Sequence, residues 1–340
     1  MPPAMHLGLA FDLQTDPSDE RQAEFDPQST IDALRQALEA QGHHVSLVGN
    51  ASALLQGPAR CCDVDLIFNI AEGAHGRCRE AWAPMLLELY HIPYVGSDAL
   101  ALGLALDKVM MKRLAVADGV PTPRWISIDD PALLPKALSF GFPVIVKPRW
   151  EGSGRGINQH AVVHTPEALR QRVQWLYNRV QQPILIEEFI AGGELTVCII
   201  GNTPPVVYPA IQRPLDPATT LSYHVVKPSP ATWVAPLILE PLLDQQACEI
   251  ARTMFDAIGC RDMARVDLRV DAHGRVQFLE INPLPSFDPE GSLGLLAESL
   301  GVTYDEMIGS ILDAALGRFG YPSRHRSTDA PMALSGHTNS

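Results

Sequence analysis

The chain has 340 residues, 46% of them hydrophobic and 19% charged, which is enough for a sizeable buried core and for two or three domains. Its 26 Lys and Arg against 39 Asp and Glu leave a net charge of −13, which argues against a general nucleic-acid binder while leaving room for a local basic pocket. No apolar run reaches the roughly 18 residues of a membrane span, and the opening MPPAMHLGLAFDL lacks a basic n-region, so neither membrane attachment nor a secretory signal is expected.

The cysteines (Cys61, Cys62, Cys78, Cys198, Cys248 and Cys260) show no C-x-x-C pair and no zinc spacing, and read as buried free thiols in a reducing cytoplasm. Along the chain, residues 6–12 read as a strand. The run at 31–41 reads as a helix after Ser29-Thr30, stopped by Gly42; 44–49 and 63–70 read as strands; 79–92 suits a helix broken or begun near Pro84. Strands alternating with helices predict a parallel sheet. A second unit begins near residue 107 with a helix ending at Gly119. Strands follow at RWISI, PVIVKP, INQHAVV and ILIEEFI, with a helix at 166–180 that Thr165 caps and Pro166 opens. A third unit takes ELTVCIIGN and PPVVYPAI as strands, 212–233 as a long loop, 241–258 as a helix, ARVDLRVDAHGRVQFLEIN as a hairpin, and about 303–317 as the last helix. The tail from Tyr321 is polar and reads as disordered.

Four stretches carry chemistry. In the hairpin, period-two alternation puts Arg265 with Asp267 on one face and Glu280 with Asn282 on one face; paired in register, three oxygen donors and a guanidinium would meet. Hard oxygen donors suit Mg²⁺, although an amphipathic hairpin with a solvated polar face shows the same pattern. In VIVKPRWEGSGRGIN, a strand delivers Lys147 to a loop with Gly152, Gly154 and Gly156. The absence of G-K-[ST] excludes a Walker A loop, leaving a glycine-rich hairpin over phosphates or a plain flexible turn. Lys108 opens a helix. In ILIEEFIAGGELTV, Glu187, Glu188 and Glu194 flank Gly192 and Gly193, suited to an adenine and a ribose or simply an acidic linker.

These elements, in this order, resemble the D-alanine–D-alanine ligase family of the ATP-grasp superfamily. The resemblance rests on IPYVGSDALALGLALDKVMMKRL, GFPVIVKPRWEGSGRGI, ILIEEFIAGGELTV, GCRDMARVDLRV and FLEINPLP, and covers roughly residues 63–318. It implies a mixed α/β and α+β, ATP-grasp fold: an N-terminal parallel-sheet substrate domain (1–104), a central lid domain (105–190), a C-terminal catalytic domain (191–320) and a tail (321–340). It implies ATP held by Lys108, Lys147, Gly152, Gly154, Glu187 near the adenine amine, Glu188, and Glu194 near the ribose. Asp267, Glu280 and Asn282 would hold two Mg²⁺ ions, with Mn²⁺ as a substitute. Arg265 would stabilise the transferring phosphoryl group and the tetrahedral intermediate. Ser153, Lys227 and Glu24 would correspond to the loop serine, the mobile-loop lysine and the amine-orienting glutamate.

The implied reaction is ATP-dependent peptide-bond formation between amino-acid or carboxylate substrates through an acyl phosphate, in a cytoplasmic enzyme, dimeric if it follows the family. The departures lie on the substrate side. The early G-G-x-S-x-E signature is missing, Glu72-Gly73 stands for His-Gly, Arg77 and Arg79 stand where acids are usual, Pro228 replaces a tyrosine, and PLPSFDPEGSL carries Ser286 and Ser292 as carboxylate contacts. Glu72, Arg77, Arg79 and Glu80 form a cluster suited to a carboxylate and an amine, or a salt-bridged helix face. The departures favour, as an alternative, a ligase joining other amino acids or carboxylates; a non-catalytic nucleotide-binding regulator is the third reading.

Overall fold

The computed structural model describes residues 4–57, 63–222 and 231–321. Cys61, Cys62, Lys227, Pro228 and the tail beyond Tyr321 therefore lie outside the described residues. Three sheets organise the chain. The first is parallel, in the order β2-β1-β3-β4: β1 (His6–Phe11), β2 (His44–Gly49), β3 (Leu66–Ile70) and β4 (Tyr94–Val95). Helices α1 (Gln28–Ala40), α2 (Ala51–Gln56) and α3 (Trp82–Leu89) connect them, and α4 (Ala99–Leu106) and α5 (Lys108–Ala117) follow. Pro84 falls in the first turn of α3, where its missing N–H costs nothing, after a short 3₁₀ turn at Arg79–Ala81.

The second sheet is antiparallel, in the order β5-β8-β6-β7: β5 (Trp125–Ile128), β6 (Val144–Pro148), β7 (Val162–Val163) and β8 (Ile184–Glu188). It is covered by α6 (Pro166–Val180), whose first turn is capped by Thr165 Oγ1 accepting from Ala168 N at 3.2 Å. The strand expected over 157–163 is only two residues long, because the glycine loop takes up the preceding residues as turns.

The third sheet runs β10-β9-β12-β13 with β11 also on β9: β9 (Gly193–Ile200), β10 (Val206–Val207), β11 (Ile211–Arg213), β12 (Met263–Val270) and β13 (Val276–Asn282). The run read as one strand, PPVVYPAI, splits in two. The loop expected from 212 opens as strand β11 and is pinned by Leu215, which exchanges backbone hydrogen bonds with Val234 at 2.8 Å each way. Helix α7 (Pro241–Ala257) covers this sheet, and α8 (Ser292–Leu300) and α9 (Tyr304–Arg318) close the chain.

The cores show how the units join. Leu7, Leu9 and Phe68 of the first sheet share one core with Cys198 and Ile200 of β9, Phe287, and the buried faces of α1, α8 and α9. Met111 and Ala115 of α5 pack with Phe255 of α7 and Phe278 of β13. The helix that opens the 105–190 unit thus contributes to the core of the third sheet, while residues 126–186 have a core of their own. Between them, the carboxylate of Asp107 caps α5 and is forked by Arg149 at 2.7 Å through both Nε and Nη2, which ties the end of β6 to the start of α5.

Candidate active site

The β12–β13 hairpin pairs Arg265 with Asn282 and Asp267 with Glu280, and only after Asp267 does a register irregularity enter. Directly opposed residues of an antiparallel pair share a face, so the four side chains meet; the irregularity is what brings Glu280 there, since the register nearer the turn, Leu268 with Phe278, would otherwise set Leu279 opposite Asp267. Arg265 Nη2 donates to Asp267 Oδ2 at 2.8 Å and Asn282 Nδ2 donates to the same oxygen at 3.2 Å. Thr196 of β9, which sequence reasoning passed over, donates through Oγ1 to Asp267 Oδ1 at 2.8 Å and itself accepts from Arg213 Nε at 3.2 Å. Arg213 also reaches Ser292 Oγ at 2.7 Å, while Ser286 is exposed and accepts from Asp288 N at 3.3 Å.

Lys108, at the first turn of α5, links this face to the glycine loop: its Nζ donates to the Glu151 carbonyl at 2.6 Å and lies 3.1 Å from Glu280 Oε2. Burial opposes the charge of Glu280, but Lys108 and Lys147 outweigh it and hold its carboxyl down to about 2. Burial likewise opposes the Arg265 guanidinium, and Asp267 outweighs it.

Lys147 of β6 is buried, and its Nζ donates to Glu187 Oε1 at 3.0 Å. The other oxygen of Glu187 faces Lys112 of α5, which is wholly buried and also donates to Thr122 Oγ1 at 2.8 Å. The sequence reading missed Lys112. The signal was its spacing, one helical turn after Lys108 and on the same face. The Glu187 carboxylate is thus held between two lysines. Burial would raise its pKa, yet Lys112 and Lys147 lower it; burial pushes the Lys112 ammonium down to about 8. Its neighbour Glu188 points to the surface and is forked by Arg124, at 3.1 and 3.0 Å. Burial raises Glu194, opposed by Arg269 at 3.6 Å; Arg269 also holds the Thr220 carbonyl and lies over the Phe189 ring.

Glu24 is brought to the glycine loop. Its Oε1 accepts from Gly152 N at 2.7 Å, and both oxygens are forked by Arg79, Nη2 lying 2.6 Å from Oε2. Ser153 and Gly154 follow in left-handed conformations, with φ of 47° and 70°. Ser153 is exposed. A Cβ on residue 152 would sit 2.5 Å from Glu24 Oε1. Since the Arg79 fork prevents that carboxylate from swinging away, Gly152→Ala should lower kcat/KM by about tenfold, a loss of about 1.4 kcal/mol, with Lys147 untouched. Steady-state phosphate release measured beside a thermal melt checks this.

Asp267, Glu280 and Asn282 supply two carboxylates and an amide oxygen. Among the described residues, no group of three or more His, Cys, Asp or Glu gathers to hold a metal by itself. That donor set fits Mg²⁺, which is bound by one or two carboxylates completed by phosphate oxygens and water.

A family model described as D-ala D-ala ligase C-terminus matches residues 116–313. The chain belongs to this family. It is 31% identical over 297 residues to a D-alanine–D-alanine ligase of Carboxydothermus hydrogenoformans, covering 83% of this chain and 91% of that one. It is 34% identical over 312 residues to the uncharacterised protein y4sG of Sinorhizobium fredii, covering 86% and 89%. Among solved structures, the D-alanine–D-alanine ligase of Bacillus anthracis complexed with ATP superposes with a TM-score of 0.73 at 21% identity, covering 93% of this chain and 98% of that one. The VanG D-Ala:D-Ser ligase of Enterococcus faecalis gives 0.70 at 17% identity, covering 92% and 100%. The D-alanine–D-alanine ligase fold expected from the sequence is thus the fold observed.

Proposed function

We propose that this protein is an ATP-dependent ligase that joins the carboxylate of one amino acid to the amine of another through an acyl phosphate. The observation that carries the reading is the Lys108–Glu280 pair opposite Asp267 and Arg265, with Lys147 held near it. One face then offers cations for transferring phosphate oxygens and carboxylates for a divalent cation. Asp267, Glu280 and Asn282 would hold Mg²⁺ or Mn²⁺, which, when bound, neutralises phosphate charge. Arg265, kept protonated and aimed by Asp267, offers a fixed guanidinium to the negative charge that develops as the carboxylate is phosphorylated and as the amine attacks. The N–H groups of the loop at Ser153 and Gly154 and the Lys147 ammonium would face the phosphates and Glu194 the ribose, while the Gly152 N–H holds Glu24 and the 105–190 segment acts as the lid that keeps water from the acyl phosphate. Glu187, between Lys147 and Lys112, fixes the lysine and reaches a nucleotide through it. Among the described residues, no helix is long and apolar enough to cross a membrane.

Phosphate release from ATP and Mg²⁺ with D-alanine alone, then with pairs of D- and L-amino acids and other carboxylates, tests the reading, with mass spectrometry on each product. Amino-acid-dependent release with a dipeptide product is expected. ATP binding without release under any pair would replace the ligase by a nucleotide-binding regulator. A ligase for amino acids other than D-alanine is favoured by one observation: Arg79, at the substrate end, is already engaged by Glu24.

A further inference from the structure

The strand order β2-β1-β3-β4 places a topological switch point between β1 and β3, whose connections leave toward opposite edges of the sheet. Crevices beyond the carboxyl ends of such strands are where open parallel sheets bind ligands. The segment leaving β1 carries Glu24 and Asp26, and the segment leaving β3 carries Glu72 and Glu80. This crevice opens toward the catalytic face: Arg79 Nη2, in its wall, lies 3.8 Å from Glu151 Oε2, and the Glu151 carbonyl accepts from Lys108 Nζ at 2.6 Å.

Its charges do not balance. Arg79 is the arginine in its wall, and every arm is engaged: Nε and Nη2 on Glu24, Nη1 on the Trp150 carbonyl at 2.8 Å. Asp12 is satisfied by Gly73 N and Asn50 Nδ2, both at 2.8 Å. Glu80 is only 8% exposed, yet among the described residues no group donates a hydrogen bond to its carboxylate or pairs with it within 4 Å. The same holds for the carboxylates of Glu72 and Asp26, both of which are partly exposed. Burial, then neighbouring carboxylates, raises all three: Asp26 to about 7, Glu80 to about 8, and Glu72 upward as well. Buried carboxylates without partners are costly, and a single α-ammonium would offset one of them.

We infer that, in the ligase reaction proposed above, one of the two amino-acid substrates is basic, with its side-chain ammonium or guanidinium seated between Glu72 and Glu80 in the β1/β3 crevice. The inference rests on the ligase reading and deepens it by naming a substrate class. A ligand that brings its own cation turns the uncompensated acids into charge-assisted partners. A neutral amino acid leaves them unpaired, and sites of this kind discriminate strongly against the ligand that lacks the group.

The test is phosphate release by the full chain with ATP and Mg²⁺, using lysine, ornithine and arginine against alanine, serine and glutamate, in both chiralities, singly and in pairs. A basic amino acid should support turnover with a kcat/KM at least about tenfold above any neutral one. In Glu80→Gln and Glu72→Gln, its KM should rise by about ten- to a hundredfold while the KM for ATP stays unchanged. Both variants remove an acid that burial disfavours, so at pH 8 they should melt no lower than the parent, which separates lost binding from lost folding. Turnover with neutral amino acids as good as or better than with basic ones would overturn the inference and leave the ligase reading standing. So would a basic preference that survives both substitutions. Absence of turnover with every amino acid would overturn both.

Discussion

Glu280→Gln should lower kcat by at least about 10²–10³-fold, the loss typical of a preorganised charge at a reacting centre, while the thermal midpoint stays within about 5 °C of the parent. The residue stands opposite Asp267 on β13, 3.1 Å from Lys108, and the lysines keep it ionised at any working pH. The amide matches the carboxylate in shape and leaves no void, and the side chain is 25% exposed, so a neutral end there can still be hydrated. Lys108 keeps its second partner, the Glu151 carbonyl. What the variant loses is one anionic donor for a divalent cation and the counter-charge that aims Lys108. Steady-state kinetics and a melt on the same preparation check both halves. Unchanged turnover would remove the hairpin from the chemistry.

The hairpin was legible in part: alternation is the most local of signals and puts Arg265 with Asp267, and Glu280 with Asn282, on one face of each strand, but the register set by the Asp271–Gly274 turn would oppose Asp267 to Leu279, and the irregularity that brings Glu280 there instead is not an alternation signal. Thr165-Pro166 and the amphipathic run behind it announced α6 for the same reason. Helix α4 gave no such signal. Its sequence ALALGLAL is apolar on every side and has no stripe to detect; its start is marked instead by Asp98, whose Oδ1 accepts from Ala101 N at 2.9 Å. The partners of Glu24 were out of reach: Arg79, 55 residues away, is brought in by the pairing of β1 with β3, and Gly152, 128 residues away, by the packing of the second sheet's loop against the first unit. The buried placing of Glu187 was hidden likewise, since Lys112 comes from a helix that packs on the third sheet while Lys147 and Glu187 belong to the second. Cys198 and Cys260 are buried thiols as composition suggested; Cys78 departs from that expectation and is exposed.

Glu187→Gln should destabilise the fold by about 3–5 kcal/mol, lowering the thermal midpoint by on the order of 10 °C. Its carboxylate is 2% exposed and is the shared counter-ion of Lys112 and Lys147, whose ammonium groups are 0% and 7% exposed. Taking away the charge leaves two like charges close together in a space that water does not reach, a larger cost than the pair's net worth, because burying the lysines was tolerable only with the carboxylate present. The pH dependence follows from the direction of the shift. The Glu187 carboxyl is lowered from its ordinary 4.5, so its contribution is complete above about pH 4.5 and is lost as the pH falls through the lower folded value. The gap between parent and variant should therefore be widest at neutral pH and close in acid. It should also close through the partner: Glu187→Gln combined with Lys112→Met replaces a broken ion pair by an uncharged pair of similar volume and should recover about half of the loss or more. Chemical denaturation of the parent, the single variant and the double variant at pH 7 and in acid measures all of this. A single variant as stable as the parent at pH 7 would mean that Lys112 and Lys147 have other sources of compensation, and that Glu187 is free to serve the nucleotide directly.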